Sequence, residues 1–176
     1  MSPNEQASQP LLATDRLLLR PLASHDDAVI FALRSNAEVN RYLGRKPAER
    51  IEDAQAFIEM IQANTRTRET YYWAIDCKET GQMIGTIGLF QFAEDGSGAE
   101  IGYELLPHNQ GKGFMREALG SVIAFGIQAL GLRELHAYTH AQNDRSSKLL
   151  QELHFQLEAE ADDELLHFRL VNVNVN

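Results

Sequence analysis

Six consecutive residues, Gln110-Gly111-Lys112-Gly113-Phe114-Met115, place two glycines and a lysine where the chain changes its hydrophobic period. Upstream, Ile101, Tyr103 and Leu105 alternate with Glu100, Gly102 and Glu104, which predicts a strand with two unlike faces. Pro107 stops it, because a proline has no N–H to give to a ladder. Downstream, Met115, Leu119, Val122 and Ile123 recur at helical spacing. Gly111 and Gly113 let the backbone between the two elements curl with its N–H groups inward, and Lys112 and Arg116 add local positive charge. Such a nest at a helix N-terminus suits a pyrophosphate. A Gly-x-Gly turn also serves as a plain tight connection, and these residues alone do not separate the two readings. No Gly-Lys-Ser/Thr ends the loop, and a G-x-G-x-x-G fingerprint would need a third glycine where the helix is already running.

Other residue types bear chemistry at lower specificity. Glu100 and Glu104 share a strand face, and Glu164 follows a late turn; a solvated carboxylate is the default for each. Asn143-Asp144 is a good helix cap. His136 and His140 share a face with Tyr138 between them, but no nearby Cys or acidic pair offers a metal the third ligand it needs. Cys77, the single cysteine, excludes an internal disulfide and reads as a small buried hydrophobe. Tyr71, Tyr72 and Trp73 read as strand packing rather than a platform for bases.

Elements to hold these residues are legible along the chain. Arg16 to Pro21 predicts a strand, and Ser24-His25-Asp26-Asp27 a helix start with serine at the cap, the helix running to about Ser35. A second helix is expected from about Pro47 to Ala63. Tyr71 to Cys77 and Gln82 to Phe90 predict a hairpin around Lys78-Glu79-Thr80-Gly81, followed by the central strand and a long helix to Leu130, stopped by Gly131. A strand over Leu135 to Thr139, a helix over Asp144 to Leu153, and two strands around Asp162-Asp163 close the chain, the last spanning His167 to Val175.

At 176 residues, 44% of them apolar, the chain suits one domain over residues 1–176, with 1–13 expected to fray. The opening MSPNEQASQP lacks the layout of a signal peptide, and no apolar run reaches membrane-spanning length, so the reading is a cytoplasmic protein. A net charge of −9 disfavours nucleic acid and anionic membranes as partners and favours a cationic amine. An anionic ligand would therefore depend on local groups. Nothing in the sequence separates a monomer from a homodimer.

The stretch Gln110 to Met115 resembles the acyl-CoA-binding motif Q/R-x-x-G-x-G/A of the GNAT N-acetyltransferases, departing from it at Met115. The string IGYELLP…GKGFMREAL resembles most closely the branch that acetylates ribosomal-protein N-termini (the RimJ/RimL type), which usually carries an aromatic where Gln110 stands. QNDRSSKLLQELHF is similar to a second family motif, N-x-x-S…L-L-x-x-L-G-F, with His154 in place of glycine. The resemblance runs from about Thr14 to the final strand.

It implies an α+β GNAT fold, a mixed and mostly antiparallel sheet of about seven strands with helices on both faces. It implies acetyl-CoA as cosubstrate, no metal, and an amine acceptor that could be a ribosomal-protein N-terminus. Gln110, Gly111, Lys112, Gly113, Phe114, Met115 and Arg116 would cradle the diphosphate. A bulge in the central strand would place Glu104, Leu105 and Leu106 along the pantetheine and acetyl arm, with Asn143 contacting the pantetheine. The tyrosine that many members use as general acid is absent, Leu150 standing there; Ser146 would supply the proton to the thiolate. Glu38 to Gly44 resembles the segment lining the acceptor side, and is equally readable as a helix-to-helix connection. Glu100, Glu104 or Glu164 could serve as general base. Deprotonating an α-amine at pH 7 costs only about 1.4 kcal/mol, against about 4.6 for a lysine, so the lack of an evident base leans toward an N-terminal amine. A polyamine, amino acid or drug acceptor, and a non-catalytic acyl-CoA-binding module, are the other readings.

Overall fold

The computed structural model describes residues 9–160 and 164–172. Its frame starts from β-branched and aromatic runs that pair locally. β3 (Tyr71–Cys77) and β4 (Gln82–Phe90) form the expected hairpin, from Tyr71 opposite Leu89 to Cys77 opposite Gln82. Gly81, at φ 66°, makes its turn. β5 (Gly98–Leu105) continues the meander against β4 with no slip from Gly85–Leu105 to Phe90–Glu100.

Around this meander lie β1 (Leu12–Ala13), β2 (Leu17–Pro21), β6 (Glu134–His140), β7 (Gln156–Glu160) and β8 (Leu165–Val171). They make one sheet of eight strands, ordered β1-β2-β3-β4-β5-β6-β8-β7. Only β5 and β6 pair in parallel among the described residues. The sheet has one strand more than expected, the two-residue β1, too short to show a period. The turn at Asp162-Asp163 lies outside the described residues, as do residues 173–176 of the predicted last strand; β8 begins earlier than expected, at Leu165.

Alternation sends the strands' apolar residues to two cores. Trp73, Ile75, Ile87, Leu89 and Ile101 pack on one face against Met115, Leu119 and Val122 of α4 (Phe114–Gln128), with Leu150 of α5 (Asp144–Glu152). Ala74 and Met83 face the other way, onto Leu22, Ile30, Leu33, Ala54, Ile58 and Ile61. Those residues belong largely to α1 (Asp27–Ser35) and α3 (Ile51–Arg66), which the short α2 (Ala37–Asn40) separates. Each buried Leu, Ile, Val or Met side chain among these contributes roughly 1.5–3 kcal/mol by leaving water. Cys77 is buried among them as a free thiol.

Three boundaries differ from expectation for local reasons. Ser24 opens a 3₁₀ turn (Ser24–Asp26) and does not cap α1; the Asp26 carboxylate instead accepts the Ala23 N–H at 2.8 Å and two Arg20 bonds at 2.8 Å. α3 begins at Ile51, where Asp53 accepts the N–H groups of Glu49 and Arg50 at 2.9 and 3.0 Å and fixes the start four residues after Pro47. Residues 9–13 are docked, not frayed. Gln9 exchanges two 2.8 Å hydrogen bonds with the Tyr72 main chain, and the Pro10 carbonyl accepts the Trp73 indole N–H at 2.8 Å. Among the described residues no helix is long and apolar enough to cross a membrane.

Candidate active site

After β5, a 3₁₀ turn (Pro107–Asn109) leads to Gln110 and the glycine pair. Gly111 and Gly113 adopt φ 75° and 80°, the left-handed region that strains other residues. The first helical bond of α4 runs from the Glu117 N–H to the Gly113 carbonyl, at 3.2 Å. Among the described residues the N–H groups from Gly111 to Arg116 meet no protein acceptor, so the helix opens on a row of unspent donors. A Cβ built on Gly111 meets nothing within 4 Å, and residues 111–113 are exposed, so the start of the row is open. That is the arrangement an anion needs.

The turn is held from three sides. Gln110 donates its side-chain amide to the Leu105 carbonyl at 3.0 Å and accepts from Arg145 of α5. Arg16 donates to the Lys112 carbonyl at 3.0 Å and lies over the Phe114 ring, 4.6 Å from its centroid. The Met115 side chain is buried in the core, so the residue that departs from the motif offers the site its main chain alone. Lys112 is exposed, and Arg116 is exposed with Glu152 3.8 Å away.

The sheet opens beside this turn. β5 and β6 stay paired for three residues, from Gly98–Glu134 to Glu100–His136, and no further. The expected bulge in the central strand is absent, since β5 keeps its register against β4; the opening comes from the end of the parallel pairing. The Leu106 N–H is spent on the Ile84 carbonyl at 2.9 Å, on the β4 side. Strand alternation therefore aims the main-chain groups of Leu105 and Tyr103 at the opened edge and those of Glu104 and Leu106 away from it.

Tyr103 and Ser146 meet at this opening, hydroxyl to hydroxyl, at 2.8 Å. Burial pushes the Tyr103 phenol up to about 12, against the pull of its Ser146 bond, so it stays protonated at neutral pH. Asn143 accepts the Ser146 N–H at 3.2 Å and caps α5. The cap is real, and it seats Ser146 opposite β5.

On the other face the carboxylates separate. Glu104, its side chain 7% exposed, accepts from Arg45 at 2.6 Å through Oε2, while its buried Oε1 has no hydrogen-bond partner. Arg45 is itself steadied by Asn40, at 2.7 Å. Glu100 is half-buried, and desolvation raises its pKa above the ordinary carboxylate value, with His136 opposing. Glu164 is 79% exposed, 3.9 Å from His140, whose ring lies 5.3 Å from that of Tyr42. The structure thus puts Glu100 and Glu104 on one face and sets Glu164 out at the strand ends. His136 turns to His167, at 2.9 Å. Tyr103, Arg16 and Arg45 escaped the sequence reading. Tyr103 sat in an apolar alternation that hid its hydroxyl, and the two arginines make contacts that no local spacing encodes.

Residues 16–156 match the family described as acetyltransferase (GNAT) domain. The chain belongs to the GNAT acetyltransferases. It is 39% identical over 149 residues to the uncharacterized N-acetyltransferase YoaA of Bacillus subtilis, covering 85% of this chain and 84% of the relative. It is 29% identical over 165 residues to the [ribosomal protein uS5]-alanine N-acetyltransferase of Escherichia coli, covering 88% and 82% of the two chains. In fold it is similar to RimL, a ribosomal L7/L12 alpha-N-protein acetyltransferase solved with coenzyme A. That match has a TM-score of 0.83 and 17% identity, and covers 92% of this chain and 98% of the other. This GNAT protein is an acyltransferase with the family's α+β fold, and the family's acetyl donor is acetyl-CoA. The open amide row at Gly111–Arg116 fits that donor's diphosphate.

Proposed function

We propose that this enzyme moves the acetyl group of acetyl-CoA onto a primary α-amine, as at a protein N-terminus. The observation that carries the proposal is the row of unspent amides from Gly111 to Arg116 beside an opened β5–β6 edge. Those amides, with Lys112 and Arg116, would hold the diphosphate, and Asn143 would border the pantetheine. Acetyl-CoA supplies an activated thioester carbonyl. Main-chain N–H groups of Tyr103 and Leu105 would face the charge developing on its oxygen as the amine attacks. The new bond is N–C and the broken one C–S. Ser146, steadied by Tyr103, would return a proton to the leaving sulfur, and the ammonium proton would pass to Glu100, directly or through water.

The α-amine is favoured because its deprotonation at pH 7 costs only about 1.4 kcal/mol. Among the described candidate bases, Glu104 is enclosed but paired with Arg45, Glu100 is only half-buried and Glu164 is exposed, whereas a lysine acceptor would need an enclosed carboxylate free of an arginine. The uS5-alanine relative acts on such an amine. Following thiol release with acetyl-CoA and an amine panel tests this. Turnover of N-terminal peptides or other α-amines supports it; turnover of spermidine alone moves the acceptor to polyamines. Tight coenzyme binding without any turnover would make the protein a binding module.

A further inference from the structure

Arg34, in the last turn of α1, is a half-buried cation that bonds no anion among the described residues. Among the described residues its guanidinium makes no hydrogen bond and no ion pair; it lies over the Phe57 ring of α3, 3.9 Å from the centroid. A guanidinium has five donors and rarely leaves water without spending some of them. Desolvation lowers its basicity, Arg45 adds to that, and Glu104 and Tyr72 act against it.

The surroundings form a closed ring of contacts. Phe57 meets Tyr72 edge-on at 5.8 Å, and the Tyr72 hydroxyl bonds Thr86 Oγ1 at 2.9 Å. Thr86 stands opposite Glu104 in the sheet, and Glu104 binds Arg45 at 2.6 Å. Arg45 donates to Asn40 at 2.7 Å, and Asn40 donates to the Arg34 carbonyl at 2.9 Å. Two members of the ring keep unused capacity of opposite sign: the buried Oε1 of Glu104 and the Arg34 guanidinium. The charged members, Arg34, Arg45 and Glu104, leave one positive charge uncompensated. A bare ammonium would add to that excess. A molecule whose reactive free amine carries a carboxylate would cancel it.

We infer that the acceptor carries a carboxylate beside its amine, the carboxylate paired with Arg34 and the amine on the β5 face that carries Glu100 and Glu104. This rests on the α-amine transferase reading and narrows it. The shared chemistry has two sources, a free amino acid or a peptide with an acidic residue among its first two.

Two sets of matched acceptors test the proposal, with thiol release as the readout. One set pairs tyrosine with tyramine and arginine with agmatine; the other pairs peptides beginning Ala-Asp and Ser-Glu with their Ala-Asn and Ser-Gln counterparts. The expected result is a preference of at least about tenfold in kcat/KM for the carboxylated member in one set, which also identifies the source. Arg34→Gln should erase that preference through a raised KM, and Arg34→Lys should restore part of it. Equal or better turnover of the uncarboxylated member in both sets overturns the proposal in the native enzyme, whatever the folding of the variants. A preference that survives in folded Arg34→Gln overturns it as well. Absence of turnover for every amine tested would instead overturn the transferase reading itself.

Discussion

Glu117 ties the first turn of α4 to Arg16, 101 positions away, through both of its oxygens. Oε2 accepts the Arg16 side chain at 2.7 Å and Oε1 accepts the Arg16 main-chain N–H at 2.8 Å. The same arginine reaches the Lys112 carbonyl, so one pair fixes where the amide row sits relative to the sheet. Desolvation is the largest influence on the Glu117 carboxyl and would raise it. Bonds from the Thr14 hydroxyl and from Arg16 outweigh it and hold the group below its usual range. A carboxyl lowered in the folded state contributes stability above its unfolded value, and that contribution is lost as pH falls through the folded one. Glu117→Gln should therefore cost roughly 1–2 kcal/mol at pH 7, a figure discounted because Arg16 is half exposed. The gap from the parent should narrow below about pH 4.3. Denaturant melts at the two pH values check both signs, and calorimetry with CoA should find weaker binding.

Gly111→Val should weaken CoA binding at least about tenfold, since a β-branched residue at φ 75° costs roughly 1–2 kcal/mol or more and pulls the amides off line. Gly120 is the control. It lies exposed within α4, and an added Cβ there meets nothing within 4 Å, so Gly120→Ala should raise stability by about 1 kcal/mol with CoA affinity intact. Equal CoA affinity in the parent and Gly111→Val would remove the cradle assignment.

The hydroxyl pair separates binding from chemistry. Ser146→Ala should lower kcat by about 100-fold while CoA affinity changes little. Tyr103→Phe should lower it by less, because the Ser146 hydroxyl remains. A collapsed rate in Tyr103→Phe beside an unaltered rate in Ser146→Ala would transfer the donor role to the tyrosine, whose phenol stays protonated up to about 12.

Glu100 should show opposite effects on activity and stability. Burial raises its carboxyl, so the ionised form is disfavoured in the folded chain, and its contribution to stability is lost as pH rises through the folded value. Glu100→Gln should thus melt higher than the parent near pH 7.5 and alike near pH 4, while its rate falls. A lower melting temperature at pH 7.5 would mean that the ionised carboxylate has a partner that stabilises it.

Strands and helices were legible where the period was sustained. The bounds of β3 and β4 agree residue for residue with the strand runs YYWAIDC and QMIGTIGLF on either side of the Lys78–Gly81 turn. The glycine turn was legible as a turn, because Gly111 and Gly113 lie where the period changes from strand to helix; its reading as an anion cradle came from the family resemblance, since the same glycines suit a plain connection. What stayed hidden was long-range. Arg45 and Glu104 are 59 residues apart, and Tyr103 and Ser146 are 43 apart, so their meeting depends on how distant elements pack rather than on local spacing. At Ser24 the local propensity for a cap lost to Asp26, which Arg20 holds from the neighbouring strand.

Gln9 tests how much the chain ahead of β1 contributes. Its side chain donates to the Tyr72 carbonyl and accepts the Tyr72 N–H, both at 2.8 Å, much as a further strand would along β3. Each bond is worth about 1 kcal/mol, and removing the side chain also leaves two part-buried main-chain groups without partners. Gln9→Ala should then cost roughly 2–3 kcal/mol. Removing residues 1–8 leaves Gln9 and both of its bonds in place and should cost far less, and removal of 1–10 should also free the Trp73 indole N–H, which the Pro10 carbonyl accepts. Tryptophan fluorescence followed through denaturation reads both effects. A red-shifted native spectrum is expected only in the longer truncation, and equal stability of the two truncations would mean that the docking of Gln9 and Pro10 contributes nothing to the fold.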